Sequence, residues 1–123
     1  MARCFPGILS IALLCLLSVT SSASAQLVNT SPSEILGSAR RFDGEAVTIS
    51  GTITNLQERV SHAGNRYYTF DLSDGKQAIR VFSFGSAPCR VGGATVEGTF
   101  EKVKRQGRYT FYNEVTATKV TCR

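Results

Sequence analysis

The spacing of hydrophobic residues changes once along the chain. Ile35, Leu36 and Ala39 form an apolar stripe at helical spacing within residues 31–41, and Ser31 or Ser33 can cap the start of that helix. From Ala46 onward, apolar residues instead alternate with polar ones at every second position. An alternating pattern of this kind is typical of half-buried strands. The pattern therefore predicts one short helix followed by an all-β region.

The alternating region divides into five predicted strands, at about residues 46–56, 67–72, 77–84, 94–103 and 108–120. Gly51 and Gly98 each lie in the middle of a strand, where glycine usually marks a bulge or a bend. Bent strands allow a small sheet to close on itself and hide its edges. We therefore expect a five-stranded Greek-key barrel rather than a flat meander, which would leave its edges open.

The second and third predicted strands form a hairpin with aromatic residues on both faces, joined by the turn Ser73-Asp74-Gly75-Lys76. The alternation directs five side chains into the core: Tyr68, Phe70, Leu72, Ile79 and Val81. It directs Tyr67, Thr69, Asp71, Arg80, Phe82 and also Phe84 to the outside. The outward set is where a function is to be sought, because aromatic residues are costly to leave in water.

Basic residues flank that outward face in the predicted connections. Arg59 and Arg66 lie between the first two strands, whereas Lys104, Arg105 and Arg108 lie between the last two. Tyr112 extends the same patch if Phe111 points inward. An aromatic platform between basic loops suits the stacking of bases and the neutralisation of phosphates.

Two other interpretations of the outward aromatics stay open. Tyr67 and Phe82 can be a cross-strand pair that only stabilises the sheet, or they can be covered by the leading helix. The basic residues can equally be solvated turn residues. Asp71 on the same face counts against a polyanionic ligand.

The N-terminal residues have the pattern of a secretory signal peptide. Arg3 precedes an apolar run over residues 8–19, and Ala23-Ser24-Ala25 forms a small-x-small cleavage pattern. The run is shorter than the roughly 20 residues of a spanning helix. We expect cleavage after Ala25 and a secreted or periplasmic protein, with a lead-in segment at 26–43 and a barrel at 44–123.

Charge and cysteine content add two constraints. The chain has 14 basic and 9 acidic residues, a net charge of +5, which favours polyanions only weakly. Cys89 and Cys122 are the cysteines that remain after signal cleavage, and export makes a disulfide between them the expected pairing. A hairpin of the last two strands brings both to its open end.

Catalytic chemistry finds no support in the sequence. His62 is the single histidine, and no nucleophile lies at a recognisable spacing from a base. We expect no enzyme activity, no catalytic residues, no metal site and no cofactor, and therefore a binding protein.

Several short patterns resemble a known fold family. They are Asp43-Gly44 followed by Val47-x-x-x-Gly51, then Tyr68-x-Phe70-x-Leu72-x-Asp74-Gly75, then Gly93-Ala94-Thr95-Val96-Glu97-Gly98. Together they resemble the OB-fold nucleic-acid-binding domain of the tRNA-anticodon/helicase type over about residues 44–120. More distantly, the layout is similar to the bacterial periplasmic OB-fold family of small exported proteins.

The resemblance implies an exported binding module that takes single-stranded nucleic acid on the face of the second and third strands. The alternative is a periplasmic or envelope protein that binds a small ligand, a glycan or a protein partner through the same face, because this fold serves many ligands.

Overall fold

The computed structural model describes residues 26–123, so the predicted signal peptide lies outside the described residues. The strands are β1 (Val28–Asn29), β2 (Ala46–Val60), β3 (Arg66–Ser73), β4 (Ala78–Phe84), β5 (Gly92–Gln106) and β6 (Tyr109–Cys122). Two short helices, α1 (Pro32–Gly37) and α2 (Ala39–Phe42), lie between β1 and β2.

The strands form one sheet that closes into a barrel. Their order is β1-β2-β3-β4-β6-β5, and a further antiparallel pairing of β2 with β5 joins the two sides. The pairing of β4 with β6 is parallel, whereas the hairpin pairings are antiparallel. The predicted OB-type barrel is therefore confirmed. The count of five strands was one too low for the described residues, because β1 adds a short parallel pairing to β2.

The predicted leading helix is present but interrupted. The Ser31 Oγ accepts a hydrogen bond from the Glu34 N–H at 3.1 Å and caps α1, while Ser38 separates α1 from α2. Ile35 is fully buried and belongs to the barrel core. The helix thus closes part of the barrel interior.

Asp74 links this helix to the β3–β4 turn. Its carboxylate accepts backbone N–H groups of Gln77, Lys76 and Ser33, at 3.0, 2.9 and 2.9 Å. The bond from the Gln77 N–H is the largest cause that holds the pKa of Asp74 well below its ordinary value, followed by the bonds with Ser33 and Lys76. With Gly75 at φ +95°, the turn has the predicted position and chemistry.

The inward side chains of the central hairpin are those that alternation predicts. Tyr68, Phe70, Leu72, Ile79 and Val81 are all at most 3% exposed. They pack with residues of β2, β5 and β6, including the fully buried Phe100 and Val115. Period-two patterning was sufficient here because this part of the hairpin has a regular register.

Two predicted loops are partly strand. β2 continues to Val60 after a register shift between Thr54 and Gln57, beside Asn55 at φ +54°. β5 continues to Gln106, so the hairpin turns later than expected, at Gly107 and Arg108. Residues 103–106 and 109–112 pair only with each other. We call residues 103–112 the β5–β6 tip.

Cys89 and Cys122 form the predicted disulfide, with their Cα atoms 5.9 Å apart. The bond joins the loop between β4 and β5 to the last residue of β6. It lies at the open end of the β5–β6 hairpin, as the sequence predicted.

Candidate nucleic-acid interface

Three aromatic rings form a cluster on the outer face of β3 and β4. The Tyr67 and Phe82 rings stack with their centroids 5.3 Å apart, and Phe84 meets Phe82 edge-on at 5.0 Å. Phe84 is 61% exposed, whereas Phe82 is only 8% exposed. We call these three residues the aromatic cluster.

The outward placement predicted for Phe82 implied an exposed ring, but the ring is covered. It lies outside the core cluster, and Tyr67, Phe84 and Lys104 contact its ring. Because the neighbouring rings cover it, Phe82 is the centre of the platform rather than its surface. The surfaces available to a ligand are those of Tyr67 and Phe84.

A buried carboxylate organises the cations beside this cluster. Glu114 on β6 is 1% exposed and accepts hydrogen bonds from Arg80 Nε at 2.7 Å and Lys104 Nζ at 2.9 Å. Lys104 Nζ also lies 4.1 Å from the Phe82 ring centroid and 3.2 Å from Thr116 Oγ1. A buried carboxylate needs such partners, because an unpaired charge is costly to desolvate.

Lys104 was predicted to be an unpaired cation in a loop, and it is neither. It lies on β5, its side chain is 13% exposed, and its charge is paired with Glu114. Arg80 is 44% exposed, so it keeps a solvent-facing side despite the same partner. Lys104 packs against the Phe82 ring and stabilises the aromatic cluster, while Arg80 can still contact a ligand.

The left-handed conformation of Asn113 changes which side chains of the β5–β6 tip face outward. Asn113 has φ +53°, which interrupts the regular alternation of β6. The Arg80 guanidinium consequently lies 5.4 Å from the Phe111 ring centroid, on the outer face. Tyr112 pairs with Val103 on the opposite side of the tip. Phe111 therefore does not point inward, which was the condition for Tyr112 to extend the patch, and Tyr112 lies on the other side.

The other predicted site residues occupy distinct places. Thr69 is on the outer face but only 6% exposed. Arg59 and Arg66 are exposed and hydrogen-bonded to neutral partners, Gln57 Oε1 at 2.6 Å and Ser86 Oγ at 3.2 Å, so their charges are not neutralised by these bonds. Arg105 and Arg108 are exposed at the β5–β6 tip.

An open groove of about 430 Å³ continues from the aromatic cluster toward β5 and β6. It is lined by Phe82, Phe84, Thr99, Glu101, Lys104, Gln106, Thr116 and Thr118. Sequence reasoning did not identify this groove or Glu114. Glu114 stands beside the inward Val115 in the alternating pattern, which marks it as outward, but nothing local indicates that Arg80 and Lys104 cover it.

Among residues 26–123, no group of three or more His, Cys, Asp or Glu side chains is arranged to hold a metal ion. Within the same range, every helix is too short or too polar to cross a membrane.

Comparison with known proteins supports the fold. No family model and no curated protein matches the chain. Among solved structures, RecG bound to a three-way DNA junction is similar with a TM-score of 0.54 and 19% identity over 81% of this chain. A protein described as an aspartyl-tRNA synthetase from Leishmania major Friedlin is similar with a TM-score of 0.58 and 15% identity over 93% of it. The likeness covers only 13% and 26% of those longer chains.

Proposed function

We propose that this protein binds single-stranded nucleic acid on the outer face of β3 and β4. The observation that carries the proposal is the aromatic cluster, in which a largely exposed Phe84 and a half-buried Tyr67 are held by a covered Phe82. Rings fixed in this way lose little side-chain freedom when a base stacks on them. Each stacked base typically contributes about 1–3 kcal/mol.

Exposed arginines on both sides of the cluster suit a phosphate backbone. Arg59 and Arg66 lie at the end of the β2–β3 hairpin, and Arg105 and Arg108 lie at the β5–β6 tip. Arg105 is two residues from Val103 and faces the same side of the tip as Tyr112. A strand that crosses the cluster would therefore pass from Arg59 and Arg66 toward Arg108. Phosphate neutralisation by these side chains would make the affinity fall steeply with salt.

The similarity to RecG, which was solved bound to a three-way DNA junction, is consistent with this ligand class. Because the identity is low, this similarity supports the proposal through the shared fold and not through shared binding residues. We further propose a binding role without catalysis, because the outer face presents rings and cations rather than a nucleophile with its base.

We also propose that the protein functions after export, in the periplasm or outside the cell. The signal-like pattern of residues 1–25 supports export. The Cys89–Cys122 disulfide is compatible with an oxidising compartment.

Titration of a fluorescent oligothymidylate with the protein at low and at moderate salt tests the nucleic-acid proposal. We expect steeply salt-dependent binding, and a loss of roughly 30-fold or more in the double variant Tyr67→Ala/Phe84→Ala, because two stacking surfaces of about 1–3 kcal/mol each are removed. Changing Arg59 and Arg66 to Gln should lower the dependence of log K on log salt by about 0.7 for each lost phosphate contact.

Tyr112→Ala is the matched control, because Tyr112 is 67% exposed but lies on the opposite side of the β5–β6 tip. It should bind like the unmodified protein. Absence of binding at low salt would overturn the proposal and favour the glycan, small-ligand or protein-partner class. An equal loss in Tyr112→Ala would show that the aromatic cluster is not the site.

A further inference from the structure

Two glutamates face each other across β5 and β6, but only one has partners. Glu101 and Glu114 are directly opposite in the register. Arg80 and Lys104 both bond to the Glu114 carboxylate, whereas the Glu101 side chain makes no hydrogen bond or ion pair within residues 26–123. Like charges opposite each other destabilise a sheet. The negative charge of Glu114 is therefore neutralised by two cations, whereas the carboxylate of Glu101 is available to a ligand.

The available carboxylate lies in the groove beside the aromatic cluster. Glu101 lines it together with Phe82 and Phe84 and with three threonine hydroxyl groups, those of Thr99, Thr116 and Thr118. The volume, about 430 Å³, is within the range of small-molecule sites. A flat ring can rest against the exposed Phe84 while its edge meets the polar wall.

The charge of Glu101 restricts which part of a nucleic acid can enter. A carboxylate repels phosphate and only accepts hydrogen bonds, so the group beside it must be uncharged and must carry donors. Two adjacent donors suit a carboxylate best, because both of its oxygens are then used. Guanine presents N1–H and the N2 amino group side by side. Thymine instead presents one N–H between two carbonyl oxygens.

We propose that this groove is a base-recognition subsite that prefers guanine through Glu101. The inference rests on the proposed nucleic-acid binding and adds the base to it. Tyr67 and Phe84 supply stacking that is tolerant of sequence. Glu101 supplies the selective contact. The Thr99 and Thr116 hydroxyl groups can donate to O6 and N7 of the base, which accept, whereas the Thr118 hydroxyl already donates to the Glu97 carbonyl oxygen.

Oligothymidylates in which one central base is replaced test the preference. We expect the guanine oligonucleotide to bind about 5- to 100-fold more tightly than the all-thymine one, the usual range for one bidentate contact. Inosine lacks the N2 amino group and should lose a large part of this gain. A single guanine per strand avoids four-stranded assemblies.

Glu101→Gln should remove the guanine preference, because the amide has a single acceptor oxygen. Glu97→Gln is the matched control: it removes the same charge from the same strand, at a residue that does not line the groove. A general electrostatic effect would shift all oligonucleotides equally in both variants. A loss of preference confined to Glu101→Gln supports the subsite.

The outcomes separate the two proposals. Salt-dependent binding with equal affinity for guanine and thymine would overturn the subsite and leave the nucleic-acid proposal standing. Absence of binding to every oligonucleotide would overturn both. Binding of a neutral oligosaccharide that requires Glu101, without a guanine preference, would assign the groove to sugars and overturn the inference.

Discussion

At the scale of single residues, Glu114 determines the shape of the outer face. Its carboxylate is buried and bonded to Arg80 and Lys104, and these cations lie over the rings of Phe111 and Phe82. One anion thus orients two cations and, through them, two aromatic rings. The face is preorganised because each of these side chains has a partner that restricts it.

Glu114→Gln should destabilise the protein by about 1–3 kcal/mol, because hydrogen bonds to a charged group are lost and Lys104 keeps an uncompensated, mostly buried charge. The exposure of Arg80 limits the cost. Urea unfolding measures the difference. The control is Glu101→Gln, the opposite position on β5, which should change the free energy of unfolding by less than about 0.5 kcal/mol. Similar losses in both variants would contradict the role of Glu114.

At the scale of elements, the glycines inside β2 and β5 allow close backbone approach. A Cβ on Gly98 would lie 2.7 Å from the Ala117 Cα and would collide with the Thr116 carbonyl group. A Cβ on Gly51 would collide with the Ser73 carbonyl group in the same way. The register of β5 against β6 shifts between Glu97 and Gly98. Glycine is required there by packing, because neither residue has a positive φ.

Gly98→Ala should therefore destabilise the barrel by about 1–3 kcal/mol or more, since backbone atoms of β6 must move to admit the methyl group. Thermal unfolding followed by circular dichroism measures the shift. Gly37→Ala, at the end of α1, is the control because nothing lies within 4 Å of its Cβ position and its φ is not positive. An unchanged melting temperature for Gly98→Ala would disprove the packing argument.

At the scale of the whole molecule, the disulfide closes the β5–β6 region. The Cys89–Cys122 bond spans 33 residues of sequence, which include all of β5 and all of β6. These strands carry Glu101 and Glu114 and much of the groove lining. A crosslink at the open end of the hairpin restricts the unfolded chain without touching the aromatic cluster.

Replacing both cysteines by serine should lower the free energy of unfolding by about 3–4 kcal/mol, the chain-entropy value for a loop of this length. Denaturant titration of the oxidised protein, the reduced protein and the double variant measures it. Reduction should cost as much as the double substitution. If alkylation without prior reduction added the same mass as alkylation after reduction, both thiols would be free and the bond would not be present in solution.

Local patterns were sufficient for much of this architecture. The inward set of the central hairpin, the Asp74-Gly75 turn, the Ser31 cap and the strand irregularity at Gly98 all agree with the sequence. Each depends on backbone geometry within a few residues, and such geometry leaves a direct trace in residue type and spacing. The disulfide followed from composition, because only one pairing was expected.

The candidate site was less predictable because its key contacts join residues that are distant in sequence. Alternation placed Phe82 outside but could not show that Tyr67, Phe84 and Lys104 cover it. Asn113 carried a local signal, since asparagine adopts the left-handed conformation more readily than most residues. The left-handed residue interrupts the alternation of β6, so Phe111 lies on the outer face and the condition under which Tyr112 would extend the patch is not met.

The sequence alone therefore determined the barrel, its inner face and its crosslink, because alternation and turn chemistry act over short stretches of chain. Tertiary structure alone decided how the outer face is arranged. β4, β5 and β6 had to come together before Glu114 could bind Arg80 and Lys104 and leave Glu101 unpaired. Pairing between distant strands selects which charges meet, and no local pattern records that choice.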